Sequence, residues 1–427
     1  MEEISKLKLY PHQEKAIEYL KQFKSCLIGD DMGLGKTFEG SEMLNYYANN
    51  INLVVCQKSK ITDWLNHFKQ YYDFYVWDLT KKKELYSFID DNLLQSKDFI
   101  SVGVINYDLL IRRPELFNLT NFTLLLDESS EIKNEHSKRG KFVLKMNPKN
   151  VILLSGTPMN GKFEELWSQL KLLGWQISRE LFDNQYMDYK TDYSLGFPRK
   201  VFLGYKNKER LLRKLHDYGG VFRKTEEVFE LPQQLHQEIK IPTSKNYLKY
   251  EQKHVLSLPT KVMVGDNPLT DRLNKKELCG IYSLEKVQAY QDLINSTNDR
   301  MIVFYNYVAE LETLEKVTNK PMSYVNGSKK DLTNYEEKEN SITFVQYQSG
   351  SMGINLQKAN RMIFFTPPDG NSIHFEQAMK RIHRIGQNKT CFYYYLIVEN
   401  SIEEEIYKTL DVRKYFNQEL FRKENEK

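Results

Sequence analysis

Gly29-Asp30-Asp31-Met32-Gly33-Leu34-Gly35-Lys36-Thr37 follows a short apolar run, Ser25 to Ile28, and precedes a helical pattern from Phe38 to Tyr47. A strand that turns through two glycines into a helix leaves several backbone N–H groups aimed at one point, at the positive end of the helix dipole. Such a turn is a phosphate cradle. Lys36 supplies a point charge for the β- and γ-phosphates of a nucleotide, and the Thr37 hydroxyl is placed to bind Mg²⁺. Asp30 stands where the G-x-x-x-x-G-K-[ST] pattern has its first glycine, so an ordinary glycine-rich helix start is the plainer alternative for the stretch taken alone.

Working outward, short apolar or β-branched runs alternate with helical patterns from residue 25 to 158: Leu53 to Cys56, Phe74 to Trp77, Ile100 to Ile105, Phe122 to Leu126 and Val151 to Leu154. That alternation predicts a parallel sheet with helices on both faces. Residues 159 to about 295 read as a mostly helical insertion, with amphipathic stretches at Phe163 to Leu173, Lys208 to Tyr218 and Thr243 to Leu256. The alternation then resumes at Met301 to Tyr305, Met322 to Val325, Ile342 to Tyr347, Arg361 to Phe365 and Cys391 to Val398. The expected fold is therefore α/β, with two RecA-like parallel-sheet lobes in tandem and a helical insertion between them. The expected boundaries are 1–160, 161–295 and 296–427, with a hinge at the polar, turn-rich Gln291 to Arg300.

Composition narrows the setting. The 427 residues suffice for two or three domains, and 41% apolar content for real cores. A net charge of +4 gives no bulk argument for nucleic acid, so any such binding must come from local patches. Cys26, Cys56, Cys279 and Cys391 are far apart, which fits buried thiols in a reducing cytosol rather than a zinc site. No apolar stretch approaches the length of a membrane helix, and the acidic start lacks a signal-peptide pattern. A cytoplasmic protein with no membrane partner is expected.

The second lobe has no phosphate loop, so it must act on the nucleotide from outside. Asp127-Glu128 ends an apolar strand; Asp127 would reach the metal and Glu128 would polarise the attacking water. Ser155-Gly156-Thr157-Pro158 follows the next strand and could report the state of the nucleotide, although it would also make a plain turn. Arg381 and Arg384, three apart in a helical reading of Gln377 to Gln387, would share one face and supply charge on the far side of the γ-phosphate. A basic solvated helix is the bland alternative.

Together these strings resemble the Swi/Snf-type DNA translocase ATPases of helicase superfamily two. The family's first motif reads Asp-Glu-Met-Gly-Leu-Gly-Lys-Thr, against Asp-Asp-Met-Gly-Leu-Gly-Lys-Thr at Asp30 to Thr37. Leu9-Tyr-Pro-His-Gln13 is similar to its adenine-reading glutamine motif. Leu53 to Cys56 with Trp64 is similar to motif Ia, with Gln57 where a proline is usual. Asp127-Glu128-Ser129-Ser130 stands where the family has Asp-Glu-Ala-His. Gly350-Ser-Met-Gly353-Ile-Asn355-Leu-Gln357 resembles motif V, Arg381-Ile-His-Arg384-Ile-Gly-Gln387 motif VI, and Phe222 to Thr225 with Leu231-Pro232 the stretch before the second lobe. The resemblance covers about residues 5 to 412.

It implies ATP and Mg²⁺ as cofactors, with nucleotide contacts at Gln13, Asp30, Met32, Gly33, Leu34, Gly35, Lys36, Thr37, Gly353 and Gln377. The metal would sit on Thr37 and Asp127, and catalysis would rest on Lys36, Asp127, Glu128, Arg381 and Arg384. The implied activity is ATP-driven tracking along double-stranded DNA, usually without separating its strands. Lys58, Asn106, Ser349 and Asn355 are nominated for the DNA backbone, with ordinary polar loop residues as the alternative for each. A protein displaced from or recruited to DNA is a further expected partner, and a monomer is expected. The family's targeting modules have no counterpart here, which suggests a bacterial, plasmid or phage source. Two other readings remain at this point: a strand-separating DNA or RNA helicase, and a nucleotide-gated module that binds or remodels a partner with little turnover.

Overall fold

The computed structural model describes residues 8–94, 99–194, 196–259, 261–347, 354–368 and 372–421. The chain divides into two compact units, the first running to Val228 and the second from Phe229 to Phe416.

The first unit is built on a seven-stranded, all-parallel sheet in the order β3-β4-β2-β5-β6-β1-β9. Its strands are β1 (Cys26–Ile28), β2 (Ile51–Cys56), β3 (Tyr75–Asp78), β4 (Ser101–Asn106), β5 (Thr123–Asp127), β6 (Asn150–Leu154) and β9 (Gly220–Val221). β2, β4 and β6 are buried along their whole length, as parallel strands covered by helices on both faces must be. Helices α1 (Pro11–Leu20), α2 (Lys36–Tyr47) and α3 (Ile61–Tyr71) supply Ile17, Leu20, Met43, Leu44, Trp64 and Phe68 to the core on one side. A separate hairpin, β7 (Met187–Asp192) and β8 (Arg199–Tyr205), pairs only with itself.

The second unit carries a seven-stranded sheet in the order β10-β18-β17-β13-β16-β14-β15, parallel except for the β14–β15 pair. The strands are β10 (Gln234–Ile241), β13 (Met301–Tyr305), β14 (Met322–Val325), β15 (Lys330–Asp331), β16 (Ile342–Gln346), β17 (Arg361–Phe364) and β18 (Cys391–Val398). A small hairpin, β11 (Val255–Ser257) and β12 (Val262–Val264), packs beside the helix Pro268–Gly280. Lys286, on the helix Leu284–Asn295, donates to both oxygens of Glu403 at 2.6 and 2.7 Å. Both groups are buried, and this fully paired contact holds the start of the C-terminal helix against the sheet.

Two α/β units with parallel sheets are thus present, and each strand run anticipated in the first and last thirds of the sequence lies in a sheet. The middle third differs from expectation. The stretch 161–295 is shared between the units: β9 is the edge strand of the first sheet and β10 the edge strand of the second. The expected hinge at Gln291 to Arg300 falls inside the second unit, between the helix Leu284–Asn295 and β13. Edge strands as short and polar as these carry little apolar periodicity, which is why they read as helical surroundings. Among the described residues no helix is long and apolar enough to cross a membrane.

Candidate active site

The site in the first unit follows from register. Ile28 of β1 and Asp127 of β5 are both level with Leu154 of β6, and Val221 of β9 is level with Ile28. The residues that leave the carboxyl ends of four adjacent strands therefore gather at one edge: Gly29, Glu128, Ser155 and Phe222. Open parallel sheets bind ligands at this edge.

The loop between β1 and α2 has the expected shape. Gly33 and Gly35 adopt positive φ angles of 94° and 86°. Gly35 could not be replaced cheaply, since a Cβ there would lie 2.2 Å from the Gln13 side-chain nitrogen. The first-turn N–H groups of α2, including those of Lys36 and Thr37, have no acceptor within the helix. Lys36 Nζ donates to the carbonyls of Asp30 and Asp31 at 2.6 and 3.0 Å, and a Cβ at Gly156 would lie 3.4 Å from that ammonium. The glycine after Ser155 thus leaves open the space in front of Lys36.

Two residues nominated for the nucleotide act on the loop instead. Gln13 donates from Nε2 to the carbonyls of Leu34 (3.1 Å) and Gly35 (3.3 Å) and accepts the Tyr10 N–H on Oε1. It sets the loop's shape, aided by a 3.0 Å contact from His12 Nε2 to Leu34 O. Leu34 itself is buried, so only its backbone faces the site. Met32 and Gly33 are the more open members of the turn.

Asp30 departs furthest from expectation. Its side chain is fully buried and takes a hydrogen bond from Arg223, whose guanidinium also bonds Glu39 on α2 and the carbonyl of His12. Two buried carboxylates share one arginine. Burial, with only partial relief from Arg223, pushes the Asp30 carboxyl up. Burial and the neighbouring Asp30 push Glu39 up to about 8 from the ordinary 4.5, against the pull of Arg223 and Lys36. The segment bearing Arg223 extends the β9 pairing: Gly29 N–H donates to Val221 O at 2.7 Å and Asp31 N–H to Arg223 O at 2.9 Å. The Phe222 ring fills the space a Cβ on Gly29 would need, and the Thr225 N–H donates to Asp31 at 3.1 Å. Arg223, Glu39 and His12 were missed in the sequence because the contacts span up to 211 residues.

A pH prediction follows. A buried carboxyl with a raised pKa binds its proton more tightly in the folded chain, so its stabilising contribution is present below about 4.5 and is lost as pH rises towards about 8. Melting temperature should fall across that window, with a slope of up to about 1.4 kcal/mol per pH unit for this group. Glu39→Gln should flatten the profile, and an unchanged slope would show that Glu39 titrates elsewhere.

Asp127 lies at the end of β5, where Trp64 Nε1 donates to its Oδ2 at 2.9 Å and Tyr107 OH to its carbonyl at 2.9 Å. Burial pushes its carboxyl up, and the Trp64 bond and the charges of Lys36 and Lys60 pull it back. A cation beside it would favour the charged form further. Glu128 adopts φ 58°, a left-handed conformation that a non-glycine residue adopts at a cost and that is frequent at functional sites. Ser129 Oγ donates to Gln169 Oε1 at 2.8 Å, and Gln169 Nε2 donates to Pro158 O at 2.6 Å. The acidic box and the Ser155–Pro158 turn are therefore joined through a glutamine that the sequence did not reveal.

Among the described residues no group of three His, Cys, Asp or Glu side chains could hold a metal. Mg²⁺ needs none: one carboxylate, one hydroxyl and phosphate oxygens suffice. Asp127 and Thr37 offer that hard-oxygen set, and the pull of nearby cations on the raised Asp127 carboxyl fits it.

In the second unit the helix Ser372–Met379 stops before the two arginines. Lys380 N–H still bonds Glu376 O, but Arg381 N–H tightens onto Ala378 O, and Arg381 O takes the Leu356 N–H at 3.3 Å. The expectation that Arg381 and Arg384 share a helical face is therefore corrected: both lie in the turns after the helix. Arg381 is 2% exposed, with NH1 at 3.5 Å from Ile354 O, while Arg384 is partly exposed and burial lowers its pKa. Gln387 ties these turns to the motif at 354–359 through the carbonyls of Gln357, Ala359 and Ile382. Gln377 is buried, and its Oε1 has no partner among the described residues.

Of the residues nominated for DNA, Lys58 is exposed in the turn after β2, and Asn106 ends β4 level with Cys56 at the same sheet edge. Asn106 is buried, however, and so is not the open loop residue expected. Asn355 is exposed. Ser349 and Gly353 lie outside the described residues.

The family described as the SNF2-related domain matches residues 12–303, and that described as the helicase conserved C-terminal domain matches residues 285–386. The chain is 26% identical over 445 residues to the SWI/SNF-related matrix-associated actin-dependent regulator of chromatin subfamily A member 1 of Mus musculus, covering 91% of this chain and 40% of that protein. It is 26% identical over 477 residues to the putative ATP-dependent helicase/translocase YwqA of Bacillus subtilis, covering 98% of this chain and 49% of that protein. A solved structure described as the Sulfolobus solfataricus SWI2/SNF2 ATPase core in complex with dsDNA is 20% identical, with a TM-score of 0.45, covering 98% of this chain and 92% of that one. The chain thus spans from about two fifths to half the length of these curated relatives.

Proposed function

The chain belongs to the SNF2-related family, and from that premise we propose that it is a DNA-dependent ATPase that translocates on double-stranded DNA and remodels what the duplex carries. The observation that carries this reading is the register that sets Lys36, Asp127 and Gly156 around one space at the carboxyl edge of the first sheet.

In this reading the N–H groups that open α2 and the Lys36 ammonium bind the β- and γ-phosphates, exchanging the Asp30 and Asp31 carbonyls for phosphate oxygens. Mg²⁺, when bound to Thr37 and Asp127, would neutralise charge on the phosphate oxygens. Trp64 orients Asp127 through its indole N–H, and Glu128 accepts a proton from the attacking water. Gln169 relays movement of the acidic box to Pro158. Arg381 and Arg384 are proposed as the finger arginines on the strength of the sequence motif. Lys58 and Asn355 are the exposed candidates for phosphate contacts on DNA. Relatives in Bacillus subtilis and Mycoplasma pneumoniae accord with a bacterial or phage source and a cytoplasmic site of action.

The test is hydrolysis measured with no polymer, single-stranded DNA, duplex DNA and RNA. Duplex DNA should stimulate most, and Lys36→Ala should abolish the stimulated rate. Greater stimulation by RNA or single strands would overturn the duplex assignment. Displacement of a triplex-forming strand without unwinding separates translocation from strand separation.

A further inference from the structure

The hairpin β7–β8 is not used by the chemistry above. Its root is anchored: Met187 is buried, Tyr205 packs on Phe163 at 4.5 Å between ring centroids and donates to Glu164 at 2.8 Å, and Lys206 N–H bonds Tyr186 O. Phe163 and Glu164 follow directly on the segment that leaves the Ser155–Pro158 turn. Beyond the root, the hairpin stands free of both main sheets.

Its outer part is apolar where a free hairpin should be polar. Tyr189 and Phe202 form an exposed cross-strand pair with ring centroids 5.8 Å apart, and Leu203 is exposed beside them. Near the tip Tyr193 is 67% and Phe197 58% exposed. Two strands alone are marginally stable in water, so a hairpin with this much apolar surface gains when something covers it. Charge indicates what. Between residues 187 and 208 the basic side chains are Lys190, Arg199, Lys200, Lys206 and Lys208, and the acidic ones only Asp188 and Asp192. One Asp192 oxygen accepts the Ser194 hydroxyl at 2.7 Å, so part of that small negative charge is turned inward. A chain of net charge +4 therefore has most of its excess concentrated on a short aromatic hairpin. Exposed rings interleaved with lysine and arginine match a polyanion that offers flat π-faces. A continuous duplex hides those faces inside its stack; unpaired bases present them.

We propose that the β7–β8 hairpin is a site for unpaired bases, at which Tyr193 and Phe197 stack while Lys190, Arg199 and Lys200 hold the adjoining phosphates, so that forked or gapped duplex is the preferred DNA substrate. The proposal rests on the duplex-dependent ATPase reading and deepens it. The hairpin root, fixed on the segment after Pro158, places the site on the unit that holds the nucleotide.

The test compares a blunt duplex with a forked duplex of equal paired length, by fluorescence anisotropy. The wild-type chain should bind the fork about tenfold more tightly or better. Tyr193→Ala combined with Phe197→Ala should remove the preference, with an unchanged melting transition as the folding control; Tyr193→Phe with Phe197→Tyr should keep it. A 2-aminopurine in the unpaired arm beside the junction should be quenched by the wild type and not by the alanine pair. Equal affinity for fork and blunt duplex, a preference that survives the alanine pair, or an unquenched 2-aminopurine would overturn the proposal. Failure of the underlying reading looks different: the wild-type ATPase would then not respond to blunt duplex at all.

Discussion

Arg384→Ala should lower ATP turnover by about 10³-fold or more while leaving nucleotide affinity within a few-fold of wild type. The asymmetry is the diagnostic part. An arginine that meets charge only as it develops on the γ-phosphate contributes to the rate and not to ground-state binding. Arg384 suits that role because it is partly exposed, whereas Arg381 is enclosed in its own unit against Ile354 O. Arg381→Ala should therefore cost stability as well as rate, through loss of a large buried side chain. Stopped-flow binding of a fluorescent nucleotide analogue together with steady-state phosphate release checks the pair. Near-normal turnover in Arg384→Ala would remove it from the mechanism.

Arg223→Leu should destabilise the first unit by about 3–5 kcal/mol, because it leaves Asp30 and Glu39 buried side by side without their shared cation. The substitution keeps much of the volume and removes only the charge and its hydrogen bonds. Loss of nucleotide binding should accompany it, since the same arginine bonds the His12 carbonyl next to Gln13 and the carboxylate beside the Lys36 loop. Adding Glu39→Gln should recover a large part of the stability, a coupling that a double-mutant cycle in urea measures directly. If the two substitutions are simply additive, the carboxylates do not interact through Arg223.

The two predictions differ in how visible their residues were. Arg384 lies in a string whose residues are local and specific, so its role was legible, although the helix assumed around it was not. That helix ends because the Arg381 carbonyl is claimed by Leu356, a tertiary bond that no local pattern announces. Lys36, Asp127 and Gly156 were legible for the same reason as Arg384: each closes an apolar strand at a motif. Arg223 was noticed as part of a familiar stretch, but its partners Asp30 and Glu39 are 193 and 184 residues away. A lone arginine after a two-residue strand carries no signal of what it will meet. Gln169 was hidden likewise, as one polar residue on an amphipathic helix. Asn106 was misjudged because a polar residue at a strand end reads as a loop, whereas here it is packed at the start of a short helix. The β7–β8 hairpin escaped because its aromatics fall on no single period and its turn has no Asn-Gly or Asp-Gly pair.

β9 also bears on how the chain is made. Gly29 and Asp31 take their backbone partners from Val221 and Arg223, so the loop near the start of the chain is finished by residues synthesised close to two hundred positions later. A nascent chain that has emerged only as far as residue 160 can pair six of the seven strands. It leaves Asp30 and Glu39 buried without a cation, and Phe222 missing from beneath Gly29. Such a chain should hold a sheet and no working cradle. Contacts of this separation form slowly, because a long loop must close before any of them is gained. Nucleotide binding is then among the last properties the first unit acquires, and the cell is spared a half-made ATPase while the rest of the polypeptide is still on the ribosome.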